Sequence, residues 1–402
     1  MKILVANLGS TSFKYRLYDL DERSEELLAR GSIERIGSTN AAVKMSSPRG
    51  EIESVQPIAD HGDAVKICLE QLTDASVGVL KEAGDVAAIG FKAVHARGIT
   101  GVHRVDENVL QAMEAFADVA PAHNPPYVNA MRMLGQRFPK LPLVAAFETG
   151  FHRTIPEANQ RYAIPEAWTT ELGIRRWGFH GASHRYISGR VSELLGRDDL
   201  KVISCHLGGS SSLCASRGGK SLACSLGMSP QSGLPHNNRV GDLDIFALPV
   251  ILRETGLSLG EVLDILANRS GLEGIGGAGR DLRDIEAAAE AGNAQAKLAL
   301  DVFIASTRHF LGAYLVELGG ADVIAFTGGI GENSVHMRNG VCRDLDWCGI
   351  SLDPALNMAG PAERRVSAEA SRVQVWTVPT NEELVVARQS RDLLRSGKNS
   401  ID

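Results

Sequence analysis

Long apolar runs, a charge excess of one sign and closely paired cysteines are all absent from this chain of 402 residues. No apolar stretch approaches the roughly 20 residues that a membrane-spanning helix needs. The apolar run at residues 3–6 is also too short for a signal peptide. A net charge of −6 gives no electrostatic reason to bind nucleic acid or a membrane surface. These absences predict a cytoplasmic globular protein that binds neither nucleic acid nor membranes.

The six cysteines contain no Cys-x-x-Cys pair, and most lie in apolar segments. This spacing indicates neither a zinc site nor a disulfide framework, so we expect reduced and mostly buried thiols. His180 and His184 are spaced like a metal-binding pair, but the sequence suggests no third ligand. A chain of 402 residues exceeds what one hydrophobic core usually supports. The sequence nevertheless contains no linker or low-complexity segment that would mark a domain boundary. We therefore expect two domains without a visible linker.

A short glycine-rich turn after an apolar strand occurs twice in the chain. Residues 7–12 read Asn-Leu-Gly-Ser-Thr-Ser, and residues 206–212 read His-Leu-Gly-Gly-Ser-Ser-Ser. Such a turn leaves several backbone N–H groups pointing into one concavity, which binds phosphate. Because Gly9 and Gly208 lie 199 residues apart, the repeat predicts two similar halves that each present a phosphate loop. The alternative is that both are ordinary turns between strands.

Strand and helix patterns alternate along both halves, which predicts mixed α/β sheets. The clearest segments are strands at 86–95, 143–147, 202–205, 322–326 and 373–379 and helices at 63–82, 243–255, 259–268, 281–291, 295–318 and 382–394. The strand at 143–147 delivers Glu148 to its C-terminal edge, where α/β proteins place ligand-binding groups. A third glycine-rich turn follows the strand at 322–326.

Together these motifs resemble the acetate kinase family, within the superfold that also contains sugar kinases and actin, over nearly the full length. The segments that carry the resemblance are Asn-Leu-Gly-Ser-Thr-Ser-Phe-Lys at 7–14, His-Asn-Pro-Pro at 123–126, Thr-Gly-Phe-His at 149–152, Arg-Arg-Trp-Gly-Phe-His-Gly-Ala-Ser-His at 175–184, Cys-His-Leu-Gly at 205–208, Gly-Gly-Ile-Gly-Glu-Asn at 328–333 and Thr-Asn-Glu-Glu-Leu at 380–384. The resemblance implies Mg²⁺-dependent, reversible transfer of the ATP γ-phosphoryl group to a short-chain carboxylate, in a homodimer.

The resemblance also implies the architecture, an α/β fold of two duplicated actin- or ribonuclease-H-like domains with mixed sheets and an interdomain cleft. Residues 1–150 would form the N-terminal domain, completed by the C-terminal helix 385–402. Residues 151–384 would form the C-terminal, nucleotide-binding domain.

Five positions match the family's metal and catalytic residues. Asn7 and Glu382 match the positions that hold Mg²⁺, with Mn²⁺ as the alternative ion, and both are oxygen ligands of the kind Mg²⁺ takes. His180 and Arg239 match the groups that stabilise the phosphoryl in transfer, for which a guanidinium fork is well shaped. Glu148 matches the catalytic carboxylate. These assignments fit a reaction that depends on positioning and charge neutralisation.

The other matched positions form two sets. The nucleotide side comprises Lys14, His206, Leu207, Gly208, Gly209, Ser210, Asp281, Leu282, Arg283, Gly329, Ile330, Gly331, Glu332 and Asn333. The acid pocket comprises Lys92, Val94, Ala122, Phe179 and Pro230.

Plainer interpretations exist for several of these residues. His180 could be a core histidine, Arg239 a surface ion pair, and Asn7 a turn cap. Glu148 could be a buried structural carboxylate, and Glu382 sits at a helix start, where the dipole favours an acid.

The sequence departs from the family pattern at the chemistry itself. Glu148 stands where the family has aspartate, Lys92 where it has arginine, and Gly209-Ser210 where it has Asn-Gly. The changes could compensate each other, or mark a paralogue with another acceptor or a catalytically weak nucleotide-binding member.

A fourth departure concerns the acid pocket. Ala122 replaces the leucine that faces the methyl group of the acid, which predicts room for propionate or butyrate unless Tyr127 fills the space.

Overall fold

The computed structural model describes residues 1–22, 24–121 and 123–402. The chain divides into two compact units: unit 1 comprises Met1–Gly150 and Asn381–Asp402, and unit 2 comprises Phe151–Thr380. Within the described ranges, no helix combines the length and apolar character needed to cross a membrane. The six cysteines are free thiols, and Cys348 alone among them is partly exposed.

Most of unit 1 lies in the N-terminal segment. Its strands are β1 (Lys2–Gly9), β2 (Ser12–Leu20), β3 (Glu25–Glu34), β4 (Ser38–Ser47), β5 (Gly50–Ile58), β6 (Val86–Ala93), β7 (Val102–Arg104) and β8 (Leu143–Phe147), and its helices are α1 (His61–Leu72), α2 (Glu107–Glu114) and α3 (Asn124–Arg137).

Unit 2 follows. Its helices are α4 (Glu157–Gln160), α5 (Glu166–Thr170), α6 (Gly181–Leu195), α7 (Ala247–Thr255), α8 (Leu259–Asn268), α9 (Gly271–Gly276), α10 (Leu282–Glu290), α11 (Ala294–Leu318), α12 (Gly328–Asn333), α13 (Val335–Cys342) and α14 (Pro354–Met358), and its strands are β9 (Lys201–His206), β10 (Ser212–Arg217), β11 (Lys220–Cys224), β12 (Val323–Thr327), β13 (Arg364–Arg365) and β14 (Gln374–Thr377). The chain then returns to unit 1 with α15 (Glu382–Ser396) and β15 (Ser400–Ile401).

Unit 1 is built on a nine-stranded sheet in the order β15-β7-β8-β6-β1-β2-β3-β4-β5. β1 pairs antiparallel with β2 and parallel with β6, and β6 pairs parallel with β8. Both faces are covered because consecutive residues of β1 are apolar and point to opposite faces of the sheet: Leu4 packs in the core with α1 and α3, and Ile3 in the core with α15.

Unit 2 repeats this plan on a six-stranded sheet in the order β11-β10-β9-β12-β14-β13. β9 pairs antiparallel with β10 and parallel with β12, as β1 pairs with β2 and β6. The 25-residue helix α11 contributes to the core on one face, and α6 packs on the other. The predicted α/β fold with mixed sheets is confirmed, and the carboxyl ends of its parallel strands carry the glycine-rich segments.

The helix predicted at 63–82 is shorter in the structure. α1 ends at Leu72, and the backbone N–H groups of Val79 and Leu80 both donate to the Leu72 carbonyl at 2.9 Å. The Asp74 carboxylate accepts the N–H groups of Ser76 and Val77 at 2.8 and 3.1 Å. Because aspartate competes for local backbone donors in this way, the chain turns instead of continuing the helix.

Candidate active site

The second glycine-rich turn, at the end of β9, is stabilised by hydrogen bonds within the turn and to His236. The Gly208 N–H donates to Ser211 Oγ at 3.2 Å, and the Ser211 N–H donates to His236 Nδ1 at 2.7 Å. The N–H groups of Gly209 and Ser210 donate to no acceptor within the described part of the chain. Gly209 is exposed, so this turn presents backbone donors of the kind that bind phosphate.

The third glycine-rich segment is a short helix, α12, and not the turn predicted from the sequence. Gly328 has a φ of +77°, and a Cβ there would lie 2.6 Å from the Leu207 carbonyl oxygen. That carbonyl accepts the N–H groups of Ile330 and Gly331 at 2.9 and 3.1 Å. Leu207 thereby joins the two glycine-rich segments of the neighbouring strands β9 and β12, and exposed Gly329 lies beside Gly208.

A fully buried arginine fixes the C-terminal half of α12. Arg338 Nη1 donates to the carbonyls of Gly331 and Glu332 at 2.8 and 2.9 Å, and its other nitrogens donate to Asn357. Burial lowers the pKa of Arg338 to about 10, which leaves it charged at neutral pH. Asn333 also belongs to this segment, and its Nδ2 donates to the Gly329 carbonyl. No sequence signal pointed to Arg338.

His180 precedes α6 in a left-handed backbone conformation with φ of 55°. Its Nδ1 lies 2.8 Å from Ser212 Oγ, and its ring lies 4.3 Å from the ring of His206. Ser212 Oγ also lies 2.8 Å from Nε2 of His184, and His184 Nδ1 lies 2.6 Å from Ser204 Oγ. His180 is therefore held by a hydrogen-bonded chain that reaches into the core, and the sequence alone gave neither Ser212 nor Ser204 a role toward His180.

The backbone before His180 is fixed by another histidine. Burial lowers the pKa of His152 to about 4, so its ring is neutral at pH 7. Its Nε2 donates to the Phe179 carbonyl at 2.8 Å, and Nδ1 accepts from Ser221 Oγ at 2.9 Å. A Cβ at Gly178 would lie 2.6 Å from this ring, so only glycine fits there. Phe179 itself is buried.

Arg239 lies beside the second glycine-rich turn. Its Nη1 donates to Ser210 Oγ and to the Pro230 carbonyl, both at 3.3 Å. Burial lowers the pKa of Arg239, but the ordinary pKa of arginine is so high that the side chain stays charged at neutral pH. Burial first and the Arg239 charge second lower the pKa of His236 to about 3. Arg239 thus brings a positive charge to this cluster, and a serine hydroxyl and a backbone carbonyl orient it.

The residues predicted for the adenosine side begin helix α10. Asp281 caps the helix and pairs with Arg283, which is 86% exposed, while Leu282 is buried. Ser334 Oγ donates to Glu286 Oε1 at 2.6 Å, which ties α10 to the residue directly after α12. The structure therefore connects Asp281, Leu282 and Arg283 to the glycine-rich segments through one helix.

Unit 1 holds a separate group of charged side chains. Lys92 Nζ donates to the Glu382 carboxylate. Burial alone would lower the pKa of Lys92, but the charges of Glu382 and Glu148 outweigh it and raise that pKa, so the ammonium stays charged. Glu148 is 4% exposed, and its N–H donates to the Ala93 carbonyl at 2.8 Å. Pairing of β6 with β8 thus places Lys92 near Glu148, and the start of α15 adds Glu382.

Tyr127 on α3 connects this group to Asn7. The Tyr127 hydroxyl accepts the Leu8 N–H at 3.2 Å and donates to Asn7 Oδ1 at 3.1 Å. Burial, above all, raises the pKa of Tyr127. The sequence suggested Tyr127 only as a residue that could fill the acid pocket, whereas the structure bonds its hydroxyl to β1.

The remaining predicted residues of unit 1 lie nearby or cannot be described. Lys14 is exposed on β2 opposite Asn7, and both line a cavity of about 390 Å³. Val94 is buried directly after β6. Ala122 lies outside the described residues, so the enlarged acid pocket stays a prediction.

The family resemblance implies that Asn7 holds Mg²⁺, and on that basis we expect Tyr127→Phe to raise the Mg²⁺ concentration that gives half-maximal activity by roughly three- to tenfold, the usual effect of one lost hydrogen bond. The phenyl ring keeps the packing, but Asn7 loses the donor that orients its amide oxygen. The measurement is activity against Mg²⁺ concentration. Tyr15→Phe is the matched control, because it removes a buried hydroxyl that donates to Gln71 at 3.3 Å. Equal Mg²⁺ curves for the two variants would contradict a role for Tyr127 in orienting Asn7.

Comparison with known proteins decides the family to which these features belong. The model of the acetokinase family matches residues 2–388. The chain belongs to the acetokinase family. Similar members include an acetate kinase from Clostridium botulinum, 42% identical over 398 residues that cover 98% of this chain and 99% of the relative. An acetate kinase from Pseudothermotoga lettingae is 40% identical and covers 99% of this chain and 98% of the relative.

Solved structures of family members agree with the whole fold. The crystal structure of Porphyromonas gingivalis acetate kinase has a TM-score of 0.87 at 35% identity and covers 98% of this chain and 99% of its own. A propionate kinase from Francisella tularensis also has a TM-score of 0.87, at 31% identity, and covers 96% and 98% of the two chains. The resemblance inferred from the sequence motifs is therefore confirmed.

Proposed function

We propose that this member of the acetokinase family transfers the γ-phosphoryl group of ATP to a short-chain carboxylate. A carboxylate oxygen attacks the γ-phosphorus, the bond from that phosphorus to the β,γ-bridging oxygen breaks, and ADP leaves with an acyl phosphate as the product. The reverse transfer regenerates ATP. One observation carries the proposal: two joined glycine-rich segments, His180 and Arg239 meet at the carboxyl edge of the unit 2 sheet.

Unit 2 supplies nucleotide binding and charge stabilisation in this proposal. The N–H groups of Gly209 and Ser210 bind phosphate oxygens, and residues 328–333 with the start of α10 bind the adenosine. Arg239 and His180 contact the equatorial oxygens of the transferred phosphoryl, where negative charge must be stabilised. The contacts to Ser210 and Ser212 support these roles because they orient both side chains before a substrate arrives.

Unit 1 supplies the acid site and the metal ligands. Lys92 neutralises the carboxylate substrate, and Glu148 orients that ammonium and activates the acid. Asn7 and Glu382 offer an amide and a carboxylate oxygen, a donor set that suits Mg²⁺, and Mn²⁺ accepts the same atoms. When bound, the ion neutralises phosphate charge. The hydrogen bond of Tyr127 to Asn7 Oδ1 supports this role, because it leaves the amide oxygen in a fixed direction.

The acceptor is proposed to be acetate or a close homologue such as propionate. Relatives named acetate kinase and propionate kinase both match this chain over nearly its full length. Val94 forms an apolar wall of the acid site in this proposal, and Ala122 leaves room for an extra carbon, which is worth roughly tenfold or more in kcat/KM.

The deciding assay incubates the protein with ATP, Mg²⁺ and one acid at a time, and measures ADP together with acyl phosphate trapped by hydroxylamine. The acids are acetate, propionate, butyrate and glycolate. We expect acid-dependent formation of both products in equal amounts. ADP formation that no acid stimulates would contradict the proposal and indicate a weak nucleotide-binding member. A clear preference for acetate would contradict the enlarged pocket but not the reaction.

A homodimer and a cytoplasmic location complete the proposal. Support for the dimer comes from an apolar surface beside and on α7 and α8 that is unusually exposed for a monomer, formed by Ile245, Phe246, Val250, Leu259 and Leu263, which are 48–81% exposed. A second copy of this chain would cover that surface.

We expect Phe246→Glu to convert the dimer to a monomer, because Phe246 is 81% exposed and a carboxylate cannot be buried there without a partner. Light scattering after size exclusion gives the mass. Met358→Glu is the control, since it adds the same charge at a residue that is 70% exposed on another surface. A monomeric parent protein, or a Phe246→Glu dimer of unchanged stability, would contradict this interface.

A further inference from the structure

A second cavity of unit 2 lies at the opposite edge of the sheet from the glycine-rich segments. It has a volume of about 760 Å³ and is lined at the starts of the parallel strands by Lys201, Asp322 and Val373. β9 runs from Lys201 to His206, so roughly 15–20 Å of strand separate this cavity from the second glycine-rich turn. The cavity is therefore distinct from the candidate active site.

The charges around this cavity favour an anion. Five cationic and two acidic side chains line it. Both acids are already paired with Arg197, whose Nε lies 2.9 Å from Asp199 and whose Nη1 lies 3.6 Å from Asp322. Four cations remain. Arg372 donates to the Cys348 carbonyl at 2.7 Å. Arg217 is exposed, and its guanidinium makes no hydrogen bond among the residues that the structure describes, although its charge contributes to lowering the pKa of Asp199.

An exposed indole stands beside these cations. Trp347 is 82% exposed although the turn that carries it is well fixed. The Cys348 N–H donates to the Leu345 carbonyl at 3.0 Å, and the Gly349 N–H donates to the Asp346 carbonyl at 2.9 Å. The backbone that carries Trp347 is thus fixed, and its exposed indole offers a flat apolar surface on which a planar ring can stack.

We propose that this cavity binds a phosphorylated compound with a planar ring, of the chemical class of a nucleoside monophosphate. The ring stacks on Trp347, and the phosphate is bound by Arg217 and Arg372, whose planar forks suit phosphate oxygens. Such a ligand requires an excess of positive charge and an aromatic surface, and the lining offers both: five cationic against two acidic side chains, together with Trp347. The site goes beyond the proposed kinase reaction.

The test is a titration of the protein with AMP, followed by tryptophan fluorescence. We expect quenching at millimolar AMP or below that disappears in Trp347→Phe. Arg217→Gln is expected to weaken the apparent affinity by at least tenfold, since a charge-assisted contact is lost. Lys220→Gln is the matched control: Lys220 pairs with Arg217 across the β10–β11 turn and carries the same charge, but it does not line the cavity.

Further arms separate this site from its alternatives. The Arg239→Ala variant should still show quenching by AMP. If Arg239→Ala loses the quenching and Arg217→Gln retains it, the signal comes from AMP bound at the active site. Inorganic phosphate alone and adenosine alone should each bind more weakly than AMP. Equal affinity for phosphate would overturn the stacking role of Trp347, and no Trp347-dependent response to millimolar AMP would overturn the site.

Discussion

Arg239→Ala should lower kcat for acyl phosphate formation by about a thousandfold, which is what an arginine that stabilises a transferred phosphoryl group contributes. The guanidinium is positioned by Ser210 Oγ and the Pro230 carbonyl, both at 3.3 Å, and it is partly buried. Stopped assays with trapped acyl phosphate measure the rate, and calorimetry with Mg-ADP measures nucleotide binding. We expect the Kd for Mg-ADP to change less than threefold.

The second variant at this position tests geometry against charge. Arg239→Lys keeps one positive charge but loses the planar fork, so its kcat should fall between those of the parent and Arg239→Ala. A kcat for Arg239→Ala within tenfold of the parent would remove Arg239 from the phosphoryl site. An equal loss of Mg-ADP affinity and kcat would instead make it a nucleotide-binding residue.

Glu148→Gln should lower kcat by about a hundredfold, a loss typical of removing one well-placed charged group from an active site. Glu148 is almost fully buried, and its charge helps to raise the pKa of Lys92. The amide keeps the shape of the side chain but removes one of the two carboxylate charges that stabilise the Lys92 ammonium. The measurement is kcat and KM for the carboxylate, and KM should rise together with the fall in kcat.

Glu148→Asp is the informative partner of this variant. It keeps the charge and moves it by about one ångström, a displacement that can change a rate by up to a hundredfold. Because it restores the residue expected from the family pattern, it should retain more activity than Glu148→Gln. Unchanged acyl phosphate formation in Glu148→Gln would show that Glu148 is a structural carboxylate.

Much of the fold was accessible from the sequence because its signals are local. The strand that ends at Phe147 and delivers Glu148 is a continuous apolar segment, and the second glycine-rich turn is spelled out in consecutive residues. α12 was missed because glycines favour a turn in isolation. Its helix depends on the Leu207 carbonyl and on Arg338, neither of which a local pattern reveals.

The candidate site could be predicted only in part, because its side chains come from distant parts of the sequence. Lys92 and Glu382 are 290 residues apart, and Tyr127 and Asn7 are 120 apart. The resemblance to the family named Lys92, Glu382 and Asn7 one by one, but it did not pair them. Tyr127 lies in an amphipathic helix where an aromatic residue normally signals only core packing, so its hydroxyl contacts had to come from the three-dimensional arrangement.

The hydroxyl of Ser212 has one proton to give, yet it lies between two imidazoles. If His180 is neutral and carries its proton on Nε2, Ser212 must donate to His180 Nδ1 and accept from His184 Nε2. His184 is then the Nε2–H tautomer, and Ser204 must donate to its Nδ1. Because burial keeps His184 neutral, its ring has a single proton for its two bonds, so all three hydrogen bonds must run in the same direction. The proton position on His180 is thereby coupled to the orientation of the Ser204 hydroxyl in the sheet interior.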